Sequence, residues 1–200
     1  MKGKGDWLLI ALLLAILGEG RASPAPRPGP GPSPQPSGGG ARPKVKSWNG
    51  SAEEWVRDRH RVAQAMLEDK LGAASMMYDA DEIARSIVAH WAIETNWGAS
   101  EFNFNLGGIH SSPGQAYFMA KDAGVTVGFV AYDSVEDGAK GYGELVWNRY
   151  RDCAMKLAAD PEKPDWYLCL GAKGYYGKNP NAAKLITDAR ARVASILGGA

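Results

Sequence analysis

Ile93-Glu94-Thr95-Asn96-Trp97-Gly98 places one carboxylate at the end of an apolar helical stripe, with a tryptophan and a glycine breaking the helix directly behind it. Counting back from Glu94 gives His90, Ile87 and Ile83, in steps of four, three and four. At about 100° per residue these four side chains share one helical face. Three of the four are groups that a helix buries, so Glu94 is expected on the interior or on a cleft wall. A carboxyl held there loses hydration, which favours its neutral form, the state in which a glutamic acid gives up a proton as general acid. Periodicity alone fits an exposed glutamate at a frayed helix end equally well; the surrounding sequence has to decide.

Around this stretch the pattern is mostly helical. Ser51 followed by Glu54 is a capping box that opens a helix to about Asp69. A second helix is predicted from about Asp81 to Thr95. Residues 101–114 read as loop, punctuated by Asn103, Asn105, Gly107, Gly108, Pro113 and Gly114. Gln115–Ala120 and Val125–Tyr132 alternate as a hairpin with Lys121-Asp122-Ala123-Gly124 at its turn. Ser134 and Asp137 cap a third long helix to about Met155, a short helix follows Asp165, and Pro180 opens a last one ending at Gly198-Gly199. The fold class expected is mainly α (α+β), a helical domain over 48–200 with one short β-hairpin. The chain shows no internal repeat.

The N-terminal quarter differs in kind. Lys2 and Lys4 precede an unbroken apolar run from Trp7 to Leu17, and Gly20-Arg21-Ala22 supplies small residues for cleavage. Eleven apolar residues span only about 16 Å as a helix, against roughly 30 Å of hydrocarbon. Residues 1–22 are therefore read as a signal peptide, with retention as an anchor the alternative, and the protein is expected to be exported to the periplasm, cell envelope or medium. Residues 23–47 read as a disordered linker: eight of the twelve prolines lie between Pro24 and Pro43, followed or interrupted by small residues and Gly38-Gly39-Gly40. Such a segment buries too little apolar surface to fold and extends as polyproline II.

Residues 1–50 carry seven basic and two acidic side chains, a net +5; residues 51–200 carry sixteen and twenty, a net −4. A mildly acidic body excludes the clustered basic face of a nucleic-acid binder, while the basic tail is a candidate envelope or membrane tether. The domain is expected to work as a monomer. In an oxidising compartment the only two cysteines, Cys153 and Cys169, which bracket the turn Asp160–Asp165, are expected to form a disulfide.

Chemistry has few places to reside. His60, His90 and His110 lie in separate segments without ligand spacing, so neither a metal nor a cofactor is expected. His90, one turn before Glu94, is within reach of a hydrogen bond to it, although a lone histidine on an apolar face is commonly a core residue. No Gly-x-Ser-x-Gly elbow is present and neither cysteine has a nucleophile's setting. What remains is an acid among loop aromatics and amides. Trp97, Phe102, Phe104, Tyr117, Tyr132, Trp166, Tyr175 and Tyr176 offer faces for sugar rings, and Gly174-Tyr175-Tyr176-Gly177-Lys178-Asn179-Pro180-Asn181 is hard to explain by packing alone.

Four ordered segments then carry a resemblance: Glu94-Thr95-Asn96-Trp97-Gly98-Ala99-Ser100; Asn105-Leu106-Gly107-Gly108-Ile109; Phe129-Val130-Ala131-Tyr132-Asp133-Ser134; and Gly174-Tyr175-Tyr176 before Asn179-Pro180-Asn181-Ala182. Over roughly 80–197 the chain resembles glycoside hydrolase family 73, the bacterial and phage peptidoglycan endo-β-N-acetylglucosaminidases of lysozyme-like fold. The resemblance implies Glu94 as catalytic acid, Tyr175 as the tyrosine lining the site near the scissile bond, and Asn105 as support for the cleft floor. It makes peptidoglycan glycan strands the partner, with Trp97, Asn105, Tyr132, Tyr176 and Asn181 as substrate-binding candidates. Two departures stand out. Gly107 replaces the phenylalanine of the usual Asn-Leu-Phe-Gly-Ile, and the hairpin, normally longer and often bearing a second acid, is short, leaving Asp122 as its nearby carboxyl. The second catalytic contribution stays open among Asp122, the substrate's own acetamido group and a water held by Tyr175. A lytic transglycosylase of the same fold and a non-catalytic peptidoglycan-binding module are the alternative readings. The Gly-Leu-Met-Gln stretch common in transglycosylases is absent, and the intact Glu94 segment counts against a mere binder.

Overall fold

A computed structural model describes residues 39–72, 78–122, 124–177 and 179–198. The export-signal reading of 1–22, and most of the stretch read as linker, lie outside the described residues.

Six α-helices and one two-stranded hairpin make up the described fold. Helix α1 (Ala52–Leu71) opens on the capping box expected from sequence: the Ser51 hydroxyl accepts from the Glu54 amide at 3.2 Å and the Glu54 carboxylate accepts from the Ser51 amide at 2.9 Å. Helix α2 (Ala80–Thr95) is capped by Asp79, whose side chain accepts from the Glu82 amide. Its apolar residues run almost all the way round. Ile83, Ala84, Ile87, Val88, Ala89, Trp91 and Ala92 are wholly buried, as befits the central helix of a bundle. It packs against α1, against α4 (Arg151–Ala159) and against α6 (Ala182–Gly198), with α5 (Asp165–Ala172) lying between α4 and α6.

The end of α2 is a sharp left-handed turn. Asn96, Trp97 and Gly98 have φ of 48°, 57° and 82° in succession. A Cβ at position 98 would run into the indole of Trp55, so glycine is required there by conformation and by contact together. The turn is stitched back to the helix by Trp97 N–H to Ala92 carbonyl at 2.9 Å and Gly98 N–H to the Thr95 hydroxyl at 3.1 Å.

Strands β1 (Tyr117–Asp122) and β2 (Val125–Val130) pair antiparallel, Tyr117 opposite Val130 and Asp122 opposite Val125. The predicted hairpin is present, but β1 runs through Lys121 and Asp122, which the sequence reading had put in the turn. Residues 109–111 extend the pairing along the outer edge of β2, through Val130 N–H to Ile109 carbonyl and Ser111 N–H to Gly128 carbonyl, both 2.9 Å.

Two other features differ from the sequence reading. The single helix expected from Ser134 to Met155 is interrupted: α3 (Val135–Glu144) passes into a π-helical turn over Leu145–Arg149, and the backbone breaks at Tyr150 before α4 begins. Tyr142, Val146 and Tyr150 are all buried, and in an unbroken α-helix a four-residue step drifts by roughly 40°. The wider turn holds the three on one side. In addition, the last residues of the segment read as linker, 40–47, lie along the domain. Arg42 N–H donates to the Tyr117 carbonyl at 2.7 Å and Tyr117 N–H to the Gly40 carbonyl at 3.1 Å, so this strap pairs with the free edge of β1. Farther on, Asn103 holds it from both sides, accepting from Val45 N–H and donating to the Pro43 carbonyl, while the Lys44 ammonium sits 3.8 Å from the centre of the Phe102 ring. Composition alone hides this, because proline-rich extended backbone is also what an edge strand tolerates.

Cys153 on α4 and Cys169 on α5 form the expected disulfide, with Cα atoms 5.4 Å apart. It closes the turn between the two helices. Replacing both cysteines with serine is expected to lower unfolding stability by about 3 kcal/mol on the chain-entropy account. Denaturant unfolding compared with the unmodified protein reads this directly, and two thiols titrating in unreduced, denatured protein would refute the bond.

Candidate active site

The last turn of α2 carries Glu94 with its side chain 22% exposed, while His90 one turn earlier is wholly buried. Glu94 Oε1 lies 3.3 Å from His90 Nε2. The other oxygen, Oε2, faces Gly108, where an added Cβ would stand 2.9 Å from it. Gly108 has φ of +60°, so the chain passes closely under the carboxyl in a conformation suited to glycine.

This passage is built by the 105–109 segment. Asn105 is buried, and its amide donates to the carbonyls of Ile109 (2.8 Å) and Val130 (3.0 Å) while its oxygen accepts from the Ile109 amide at 2.8 Å. One side chain thus ties the loop to itself and to β2. The Tyr175 hydroxyl donates to the Gly107 carbonyl at 2.7 Å. A Cβ at position 107 would lie 2.6 Å from that hydroxyl and 2.7 Å from the Tyr142 ring. The space that a phenylalanine side chain would need is taken by two tyrosines, which accounts for the glycine.

Around His90 and Glu94 the walls are aromatic. The imidazole has ring neighbours in Tyr142, Trp166, Tyr167 and Tyr175, with centroids 5.1–5.7 Å away and mostly edge-on. Burial pushes the phenols of Tyr142 and Tyr175 well above the usual range; the Glu94 charge adds to both, and for Tyr175 the neighbouring Tyr142 adds as well. Tyr167 is raised by burial and then by Glu94. Tyr176 is raised by burial, opposed by its Gly171 backbone contact, with Glu94 adding a smaller rise. All four phenols stay neutral at any working pH and can donate a hydrogen bond.

The other sequence candidates fall in different places. Tyr132 is half-buried, with burial and then Glu144 raising its phenol, and its ring lies over Gly141 of α3. Its hydroxyl is also felt by Tyr175, which puts it on the same side as the cluster. Tyr176 stacks on Tyr167 at 4.6 Å and donates to the Tyr167 carbonyl. Asn181 is exposed at the start of α6; its N–H donates to the Asn179 side chain and its carbonyl accepts from Leu185. Asp122, half-exposed at the end of β1, pairs with His110 at 3.0 Å. Trp97 is not brought to Glu94. It lies under the Arg192 guanidinium at 4.0 Å, in a groove shared by Ala92, Ile93 and Leu185. Ala92, two residues before Glu94, is about 160° away around the helix, so this groove opens on the other face of α2.

Tyr142 and Tyr167 are the neighbours of Glu94 that sequence reasoning passed over. Both sit inside helices at core spacing, where nothing local marks them as anything but packing. Among the described residues no group of three His, Cys, Asp or Glu side chains could hold a metal ion.

No protein-family model matches the sequence, and no curated protein does. Solved structures do match in shape. A peptidoglycan hydrolase mutant from Sphingomonas sp. A1 superposes with a TM-score of 0.55 at 20% identity, over 74% of this chain and 99% of that one. The glycoside hydrolase domain of Salmonella typhimurium FlgJ gives 0.54 at 18%, over 75% and 92%. The catalytic domain of the autolysin Auto from Listeria monocytogenes gives 0.51 at 15%, over 76% and 89%. The chain therefore has the fold of these peptidoglycan hydrolase and glycoside hydrolase catalytic domains, the helical fold with one hairpin that the motif resemblance implied.

Proposed function

We propose that this chain is an exported peptidoglycan hydrolase of the family 73 type, an endo-β-N-acetylglucosaminidase that cleaves β-1,4 bonds of the glycan strand with Glu94 as general acid. The observation that carries the reading is the setting of one carboxyl. Glu94 is partly exposed at a helix end, with one oxygen turned inward to a buried imidazole and the other toward a glycine passage, inside a wall of neutral phenols. Glycosidic cleavage needs a proton on the leaving oxygen and stabilisation of an oxocarbenium-like centre. A carboxyl in partly desolvated surroundings is suited to the first task.

Tyr175 supports the passage under Glu94 through the Gly107 carbonyl. Tyr175→Phe is expected to lower turnover by about tenfold while costing only about 1 kcal/mol of stability, the net worth of one hydrogen bond. Unchanged turnover would remove Tyr175 from the site. Asn105 is assigned to holding the cleft floor, since its amide is already occupied by backbone. Tyr132, Tyr176 and Asn181 are assigned to sugar contacts along the walls, and Trp97 to packing between α2 and α6.

For the second task Glu101 is unsuitable, being wholly buried and bonded to Arg59 and Trp55. Asp122 is held by His110 at the solvent-exposed hairpin end, a setting with little to fix a carboxylate against a reacting carbon. We assign the stabilisation to the substrate's acetamido group or a positioned water, a recognised exception to the two-carboxylate scheme. Asp122→Asn is accordingly expected to keep activity within about tenfold of the parent. A loss of roughly 10³-fold, comparable to that from removing a general acid, would restore Asp122 as the second catalytic group.

The disulfide supports an oxidising compartment, and the basic N-terminal quarter is assigned to tethering at the envelope. The test is incubation of the full chain with purified peptidoglycan. Loss of turbidity with release of soluble muropeptides is expected. Co-sedimentation without release would make the protein a glycan-binding module instead.

A further inference from the structure

His90 is wholly buried, and its two ring nitrogens face different partners. Nδ1 is 2.8 Å from the Tyr142 hydroxyl, while Nε2 is 3.3 Å from Glu94 Oε1 and has no well-formed hydrogen bond. The groups packed on the ring are Tyr142 from α3, Trp166 and Tyr167 from α5, and Tyr175 from the loop that follows; among the described residues Glu94 is the charged side chain paired with it.

A neutral imidazole has one N–H and one lone pair. Tyr142 is wholly buried, and its hydroxyl stays protonated. It needs an acceptor, and among the described residues Nδ1 is the one it bonds. If Tyr142 donates to Nδ1, the ring proton must be on Nε2, pointing at Glu94 Oε1. The opposite tautomer would leave the Tyr142 proton without an acceptor and, whenever Glu94 is ionised, would set the Nε2 lone pair against a carboxylate oxygen. Both are costly in a buried site. The hydrogen-bond direction therefore runs from Tyr142 through His90 to Glu94.

An Oε1 that accepts from His90 is poorly placed to carry a proton of its own. The proton of the neutral carboxyl then resides on Oε2, the oxygen beside Gly108. We propose that His90, with its tautomer set by Tyr142, is a positioning residue that fixes the rotation of the Glu94 carboxyl and assigns the transferable proton to Oε2. This deepens the reading of Glu94 as the acid and rests on it. The 3.3 Å separation is expected to shorten when a sugar excludes water, as hydrogen bonds at free catalytic sites often do.

Nitrogen-15 NMR of the histidine side chains in the full chain tests this without any turnover. The chain has three histidines, and the signal lost in His90→Gln identifies the one in question. A neutral ring protonated on Nε2 is expected, with that preference weakened in Tyr142→Phe. A ring protonated on Nδ1 would overturn the proposal. Kinetics give the second readout. His90→Leu removes the donor and is expected to lower kcat by about 10- to 100-fold, the usual worth of a hydrogen bond to a charged group, with apparent KM within twofold. His90→Gln, which returns an N–H at similar reach, is expected to recover most of that loss. If His90→Leu does not fold, Tyr142→Phe takes its place, with a smaller fall in kcat and the same unchanged KM. Wild-type kcat in these variants beside an inactive Glu94→Gln would refute the role of His90 alone. An active Glu94→Gln would instead refute the acid assignment beneath it.

Discussion

Glu94→Gln is expected to lower muropeptide release from purified peptidoglycan by about 10²- to 10⁴-fold, the range that general acid catalysis contributes, with no change in melting temperature. The amide is nearly the same shape and can still accept from His90, so packing around the helix end should survive. What it cannot do is give a proton to the leaving oxygen. The side chain is 22% exposed, and among the described residues its ion-pair partner is the His90 ring, 3.3 Å away, not a lysine or arginine. Its loss should therefore not be felt in folding. Activity above a tenth of the parent, in protein of unchanged stability, would remove Glu94 as the acid.

The largest effect on stability is expected at a different carboxylate. Glu101 is wholly buried and accepts from Arg59 Nε at 3.0 Å, Arg59 Nη2 at 2.7 Å and Trp55 Nε1 at 2.7 Å. Its backbone is bonded as well, to Gly98 within the turn after α2 and to Ser47 of the N-terminal strap. Arg59 is almost as deeply buried, and Trp48 and Trp55 flank its guanidinium. This forked pair joins α1, the turn behind Glu94 and the strap at one point. Glu101→Gln leaves a buried guanidinium with only the part-exposed Asp58, bonded to its Nη1, as counter-charge, which costs up to about 3–5 kcal/mol. For a domain of this size that corresponds to a fall of about 10 °C in melting temperature. Arg59→Met combined with Glu101→Leu should be much less harmful than either single change, because an apolar pair of similar volume carries no desolvation penalty. A Glu101→Gln protein as stable as the parent would show that the pair adds nothing.

The local rules of helix and hairpin formation were legible in the chain. Ser51 and Glu54 form the capping box they spell, Ser134 caps α3 through the Asp137 amide at 3.1 Å, and the alternation around 117–130 does pair. Cys153 and Cys169 do meet. Features set by long-range contact were not legible. The break at Tyr150 answers to a buried ring near Tyr175, 5.5 Å away, on a segment far along the chain. The strap over 40–47 is held mostly by backbone groups and by Asn103, whose side-chain bonds reach 58 and 60 residues back.

The candidate site divides in the same way. Glu94 and His90 are one helical turn apart, so their contact follows from spacing. Tyr142 and Tyr167 reach the His90 ring from other helices, and helical periodicity alone gives each the appearance of ordinary core. Trp97 adjoins Glu94 in sequence but belongs to another face, because three successive left-handed residues turn the chain away from the helix axis. Glu101 lies seven residues after Glu94, a spacing that does not fix its direction across a helix end, and only the fold reveals Arg59 beneath it.

The central claim concerns which bond is cut, and the new chain ends decide it. Peptidoglycan digested by the full chain would be reduced with borohydride, and the released muropeptides analysed by mass spectrometry. The account predicts fragments whose reduced terminus is N-acetylglucosamine. Fragments ending in 1,6-anhydro-N-acetylmuramic acid, or in reduced N-acetylmuramic acid, would contradict it.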